Sequence, residues 1–170
     1  VAFDLGRSFN LCAAPKDIPL AVAARLTLER VTSSVPDAML TVRSTIPIAS
    51  GMGSGAAVAT AVVKALAAFV GIPLPPSEVS LIVYEVEKIH HGTPSGIDNT
   101  VIAYEQPVYF TPSESAEPTL LSVGAPFRLL IADSGLPSST KDLVERVRAE
   151  WHSDPARYQS LFRRIGGLSR

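Results

Sequence analysis

Two acidic residues and a run of glycines hold the chemistry that can be read from this 170-residue sequence. Glu87 stands in "YEVEKIHHGTPSGIDNTV", near the end of an apolar-periodic stretch, and Asp98 follows eleven residues later, beyond Gly92, Pro94, Ser95 and Gly96. A turn rich in glycine and proline reverses the chain, so the two carboxylates can be brought near each other. One acid to hold a divalent cation and another to receive a hydroxyl proton are what phosphoryl transfer requires. Upstream, "PIASGMGSGAAVATAVVKALAAFVG" sets Gly51, Gly53 and Gly55 at every second position before a helix made almost wholly of alanine and valine. A strand, a glycine turn and a helix N-terminus make an anion site: free N–H groups converge, the macrodipole adds positive charge, and glycine admits oxygens to the backbone. Phosphate is the natural guest.

The same residues have plainer readings. Glycine-rich turns also serve packing alone, and a lone Glu and Asp are commonly surface charges. A Walker A loop needs Lys after its last glycine, whereas Gly55 is followed by Ala56 and Ala57. A dinucleotide fingerprint needs G-x-G-x-x-G and an acid about 20 positions on, where this chain has only Gly71 to Pro76. The adjacent His90 and His91 point in different directions on a helix, make a poor chelate, and suit a helix C-terminus.

Around these residues the chain is 46% hydrophobic, enough for a real core in about one domain, with a formal charge of −1 from 15 basic and 16 acidic residues. Neither sign runs in a block, so no nucleic-acid groove or electrostatic membrane footprint is expected, and small molecules are the expected partners. The single cysteine, Cys12, cannot close an intrachain disulfide; it is expected as a small buried hydrophobe in a reducing, cytoplasmic setting. No apolar run reaches the length of a bilayer span. The opening "VAFDLGRSFN" is not a secretory signal and reads as the middle of a longer chain.

The elements that must position the acids follow from periodicity. Asp17 is expected to cap a helix over Ile18 to about Ser33. "MLTVRST" alternates as a half-buried strand ending near Pro47. The glycine loop, Ala49 to Gly55, leads into a helix from about Ser54 to Val70, apolar on nearly every face and so expected to be buried on most sides. Ser77 is expected to cap a helix to about His90, with Val79, Ile82, Val83 and Val86 on its core side. "TVIAY" and "PVYF" read as extended, and "FRLLIAD" as a short apolar strand. Helices are expected from about Ser139 to Trp151 and beyond Ser153, the last with Tyr158, Leu161, Phe162 and Ile165 in its stripe. Strands and helices mix without a βαβ rhythm, which argues for an α+β fold.

Together the two motifs resemble the GHMP kinase superfamily, and within it the mevalonate kinases. "PIASGMGSGAA" is similar to the family's phosphate loop, "HGTPSGIDN" is nearly the form that mevalonate kinases carry, and "LLIADSGLPSSTKDLVERVR" resembles the passage into their C-terminal domain. The resemblance runs from about Thr41 to the chain's end. It implies a ribosomal-protein-S5-like, ATP-binding N-terminal domain over residues 1–135 and the start of an α/β C-terminal domain over 136–170. It also implies ATP-dependent, magnesium-assisted phosphorylation of the primary hydroxyl of mevalonate, with a homodimer compatible with it. Asp98 matches the family's catalytic aspartate and Glu87 its magnesium-ligating glutamate. Gly51, Met52, Gly53, Ser54, Gly55 and Ala56 match the cradle for the ATP phosphates, while His91, Ser95 and Thr140 match the substrate side.

Two departures from the family pattern stand out. The family sets a second, magnesium-binding serine after Ser54, where this chain has Gly55; Ser54 or water must then take that coordination position. The family's first motif, with its lysine, is expected before Val1 and its third motif after Arg170, so the chain reads as a central fragment, inactive or very weak alone. Phosphomevalonate, homoserine and sugar kinases of the superfamily stay open as alternatives, as does a non-catalytic nucleotide- or ligand-binding relative.

Overall fold

Small apolar residues at helical spacing decide the architecture. The computed structural model describes residues 10–46, 51–111, 118–132 and 140–168, and of His90, His91, Thr140 and Lys141 the backbone alone. The chain divides into two compact units, Val1–Pro137 and Ser138–Arg170.

In the first unit four helices share one core: α1 (Pro19–Val31), α2 (Ser54–Phe69), α3 (Pro76–His91) and α4 (Ile97–Tyr104). Ala23 and Ala24 of α1 and Ala56 and Ala59 of α2 let the backbones approach closely, and Val62, Val63, Val79, Val83 and Val86 fill the space between them. The expected core stripe of α3 is buried as read from its spacing. Helix α1 starts at Pro19 behind Ile18, with no side-chain cap; Asp17 does not serve, because proline at the first position already removes one orphan donor. Ser77 likewise lies inside the first turn of α3, behind Pro75 and Pro76. Arg25 of α1 donates to the carbonyls of Leu11 and Ala14 and so ties down the short 3-10 turn Leu11–Ala13. Cys12, in that turn, is exposed and not the buried hydrophobe expected, since the turn lies on the outside of α1.

Helix α2 begins at Ser54 as expected but is buried on one broad face only. Ala61, Ala65, Ala68 and Phe69 face outward, with Phe69 65% exposed, because α1, α3 and α4 cover one side and alanine composition alone cannot say which faces are covered.

"TVIAY" is helical, not extended: it forms α4, whose cap Gly96 and buried Asn99 and Thr100 outweigh the strand preference of its β-branched residues. The strand reading of "PVYF" holds at β1 (Val108–Tyr109), which pairs antiparallel with β2 (Thr119–Leu120) in the register Val108↔Leu120 and Tyr109↔Thr119. Residues 39–45 and 127–132 form no strand, and Leu130 is 99% exposed. A strand needs a neighbour for its backbone N–H and C=O groups, and among the described residues β1 and β2 are the sole pair. The architecture is thus mostly helical with one small sheet. No helix among the described residues is long and apolar enough to cross a membrane.

The second unit is a helical hairpin of α5 (Thr140–Ser153) and α6 (Pro155–Leu168). Asp154 caps α6 by accepting from the Arg157 N–H at 3.1 Å, Tyr158 donates to the Glu150 carboxylate, and Trp151 meets Phe162 edge to face at 6.4 Å between ring centres.

Candidate active site

The site is built from the N-terminus of α2 outward. Gly51 and Gly53 take φ of +73° and +65°, in the left-handed region open to glycine, and so swing the chain into the helix. Gly53 is the cap residue and offers no side chain to the first turn; the first intrahelical bond runs from the Ala57 N–H to the Gly53 carbonyl at 2.9 Å. The leading N–H groups of the helix therefore point out of its end without a side-chain cap, the arrangement that attracts an anion.

Both acids lie against this turn. A Cβ added at Gly55 would stand 3.1 Å from Glu87 Oε1, and one added at Gly53 would stand 3.8 Å from Asp98 Cγ and 3.3 Å from Ile102 Cδ1. Glycine spacing thus sets the fit: Gly53 faces Asp98, and Gly55, two residues on, faces Glu87. Glu87 projects from the late turns of α3 and is 5% exposed. Asp98 sits in the first turn of α4 and is exposed, at the positive end of that helix where a carboxylate is favoured.

The loop between the acids is held by shape. Gly96 has φ +85°, and a Cβ there would press on Phe110 Cζ at 3.0 Å, so both conformation and space require glycine. Ser95 is exposed, and its Oγ accepts from the Ile97 N–H at 3.3 Å, supporting the start of α4. At the other end of α4, Lys64 of α2 donates to the Ala103 carbonyl at 3.3 Å and pairs with Glu105. The ammonium holds the Glu105 carboxyl below its ordinary range, by hydrogen bonding first and charge second.

The structure therefore brings Gly53, Gly55, Glu87 and Asp98 together, with Ser54 half-buried and Ala56 buried in the same helical turn and Met52 exposed beside it. Gly51 has open space around it. His91 ends α3 and Thr140 begins α5, but the side chains of both lie outside the described residues. Residues 47–50 of the glycine loop and 133–139 of the "LLIADSGLPSST" segment lie outside them as well.

Magnesium suits oxygen donors and retains several waters, so one or two carboxylates beside substrate phosphates suffice for it. The buried Glu87 carboxylate beside the Cβ-less Gly55 is a donor of that kind, with room on its glycine side. Among the described residues no group of three or more His, Cys, Asp and Glu is placed to cage a metal by protein ligands alone.

Sequence reading missed the polar contacts behind Asp98. Asn99, Ser80 and Thr100 are buried between α4 and α3, with Ser80 hydrogen-bonded to each of the other two. The available signal was Ser80, a hydroxyl next to Val79 in an otherwise apolar stripe and seven residues, or two helical turns, before Glu87.

Residues 18–106, from the start of α1 to just past α4, match the family described as GHMP kinases N terminal domain. The chain belongs to the GHMP kinases. Among curated GHMP kinases, it is 37% identical over 138 residues to a mevalonate kinase of Aeropyrum pernix, covering 76% of this chain and 39% of that one. A mevalonate kinase of Arabidopsis thaliana is 34% identical over 145 residues, 78% of this chain and 38% of that one. One of Thermococcus sibiricus is 33% identical over 129 residues, 76% of this chain and 38% of that one. The chain thus spans well under half the length of the curated relatives it matches. No solved structure matches it.

Proposed function

We propose that this chain supplies the phosphate-binding turn and the two acids of an ATP-dependent kinase that phosphorylates the primary hydroxyl of mevalonate. One observation carries the proposal: Glu87 and Asp98, from different helices, meet the same glycine turn at the N-terminus of α2. The relatives' names favour mevalonate over other small alcohols. In this reading residues 1–135 belong to the N-terminal, ribosomal-protein-S5-like domain and 136–170 begin the C-terminal one.

The backbone N–H groups from Gly51 to Ala56 would receive the β- and γ-phosphate oxygens, helped by the dipole of α2. Asp98, exposed and beside Gly53, would accept the proton of the substrate hydroxyl while that oxygen bonds to the γ-phosphorus and the bond to the ADP oxygen breaks. Glu87, with Ser54 or water as a further oxygen donor, would hold a magnesium ion, whose charge offsets that on the transferring phosphate when it is bound. Gly55 leaves the space beside the carboxylate open where a serine Cβ would crowd it. His91, Ser95 and Thr140 are assigned to the substrate side by resemblance. Phosphoryl transfer asks mainly for this positioning and charge neutralisation.

The test is ADP release by the full-length protein with mevalonate, phosphomevalonate, homoserine and galactose in turn. Turnover of mevalonate, reduced by Asp98→Asn by about 10²- to 10⁴-fold as for loss of a general base, is the expected result. Turnover of another alcohol alone would move the assignment within the family, and nucleotide binding without turnover of any would make this a binding relative.

A further inference from the structure

The residue after the proposed base is buried and turned the other way. Asn99 is 4% exposed, and its Nδ2 donates to the Ser80 carbonyl at 3.2 Å and to Ser80 Oγ at 2.9 Å. Ser80 Oγ also lies 3.3 Å from Thr100 Oγ1, and Thr100 Oγ1 donates to the Gly96 carbonyl at 2.6 Å. These bonds close a buried circuit that runs from the middle of α3 to the cap of α4 and back.

Burying an amide and two hydroxyls at a helix crossing costs stability unless every bond is made, and an apolar contact would hold α4 with less demand on geometry. What the circuit adds is direction. Successive residues on a helix are about 100° apart, from 3.6 residues per turn, so fixing Asn99 on Ser80 fixes where Asp98 points. Ser80 belongs to the same rigid helix as Glu87. The circuit therefore references one acid to the helix that carries the other.

We propose that Asn99 is a positioning residue, which, through Ser80, holds Asp98 in register with Glu87 and the glycine turn. This rests on the reading of Asp98 as the base. A purely structural amide would weaken the fold equally whether or not Asp98 is present, whereas a positioning amide acts only through it.

The experiment is a double-mutant cycle in the full-length protein: Asn99→Ala and Ser80→Ala, each alone and with Asp98→Asn, read by kcat, KM and calorimetric affinity for ATP. For Asn99→Ala we expect kcat to fall about tenfold or more, as for a misplaced reacting group. ATP affinity should stay within about twofold, and there should be no further fall when Asp98 is already Asn. Ser80→Ala, which spares the carbonyl partner, should give a smaller fall in kcat with the same dependence on Asp98, and it decides the matter if Asn99→Ala does not fold. Equal losses in both backgrounds, or no loss in either, overturn the proposal. If Asp98→Asn by itself leaves turnover intact, the base assignment has failed first, and this inference falls with it.

Discussion

Helix α2 has a left-handed glycine at each end, and the two serve different purposes. At the C-terminal end Gly71, with φ +82°, donates to the Ala68 carbonyl at 3.0 Å while the Ile72 N–H reaches the Ala67 carbonyl at 2.9 Å. These bonds satisfy carbonyls the helix would otherwise leave open, and a Cβ at Gly71 would meet nothing within 4 Å. At the N-terminal end the cap has no side chain to bond the leading N–H groups, and Cβ atoms at Gly53 and Gly55 would press on Ile102, beside Asp98, and on Glu87. One end needs glycine for its dihedral angles alone. The other also needs it for room, and only there does a substitution reach the acids.

Gly53→Ala should break the contrast most severely. It combines about 1–2 kcal/mol of left-handed strain with crowding of Ile102, whose Cδ1 would lie 3.3 Å from the new Cβ on the helix that carries Asp98, and a fall in kcat/KM of roughly 10- to 100-fold is expected in coupled-enzyme kinetics. Gly55→Ala sharpens it, since that residue sits inside the helix with ordinary angles. Thermal unfolding should show a gain of up to about 1 kcal/mol from helix propensity, while the magnesium concentration needed for half-maximal turnover rises several-fold, roughly one RT unit of lost positioning. A gain in stability with no change in magnesium requirement would mean that Glu87 yields freely. Gly71→Ala should cost about 1 kcal/mol of stability, read as a lower urea midpoint, and leave kcat unchanged.

The smallest effect concerns the middle of the helix, where Lys64 pairs with Glu105. The Glu105 carboxyl lies below its ordinary value in the folded protein. Folding is therefore favoured above the ordinary carboxylate range, and that contribution is lost as pH falls through the lowered folded value. Urea midpoints of the unaltered protein and of Glu105→Gln should differ slightly at neutral pH and converge in acid. Being exposed, the pair should show a difference that shrinks further in high salt.

Legibility in the sequence followed the kind of signal each element carries. Helices α2 and α3 were readable because their apolar spacing lies between breakers, Gly71 with Pro73 on one side and Pro75 with Pro76 on the other. Helix α4 was not, because Thr100, Val101 and Ile102 favour strands in isolation and its helical state depends on docking against α3. The alternation of Leu40 with Val42 and the apolar run of Leu129 to Ile131 state what a strand would bury, without supplying the neighbour it pairs with. The acids and glycines stand out in the sequence by type and spacing, and the fold brings Gly53, Gly55, Glu87 and Asp98 together. Their support was not, because Asn99 and Thr100 in a glycine-rich segment look like solvent-facing polar residues until the fold turns them inward.

The brevity of α4 has a kinetic meaning. At eight residues it is too short to persist alone in water, where helices below about 12–15 residues are marginal. It is held by Ala103 in the shared core, by Ser80 near its start and by Lys64 at its end. Release of these grips would let α4 fray while α1, α2 and α3 still pack together, a partial opening of the kind amide exchange detects below global unfolding. Asp98 would thus leave the glycine turn in a fluctuation smaller than denaturation, one that detaches a single short helix from its neighbour.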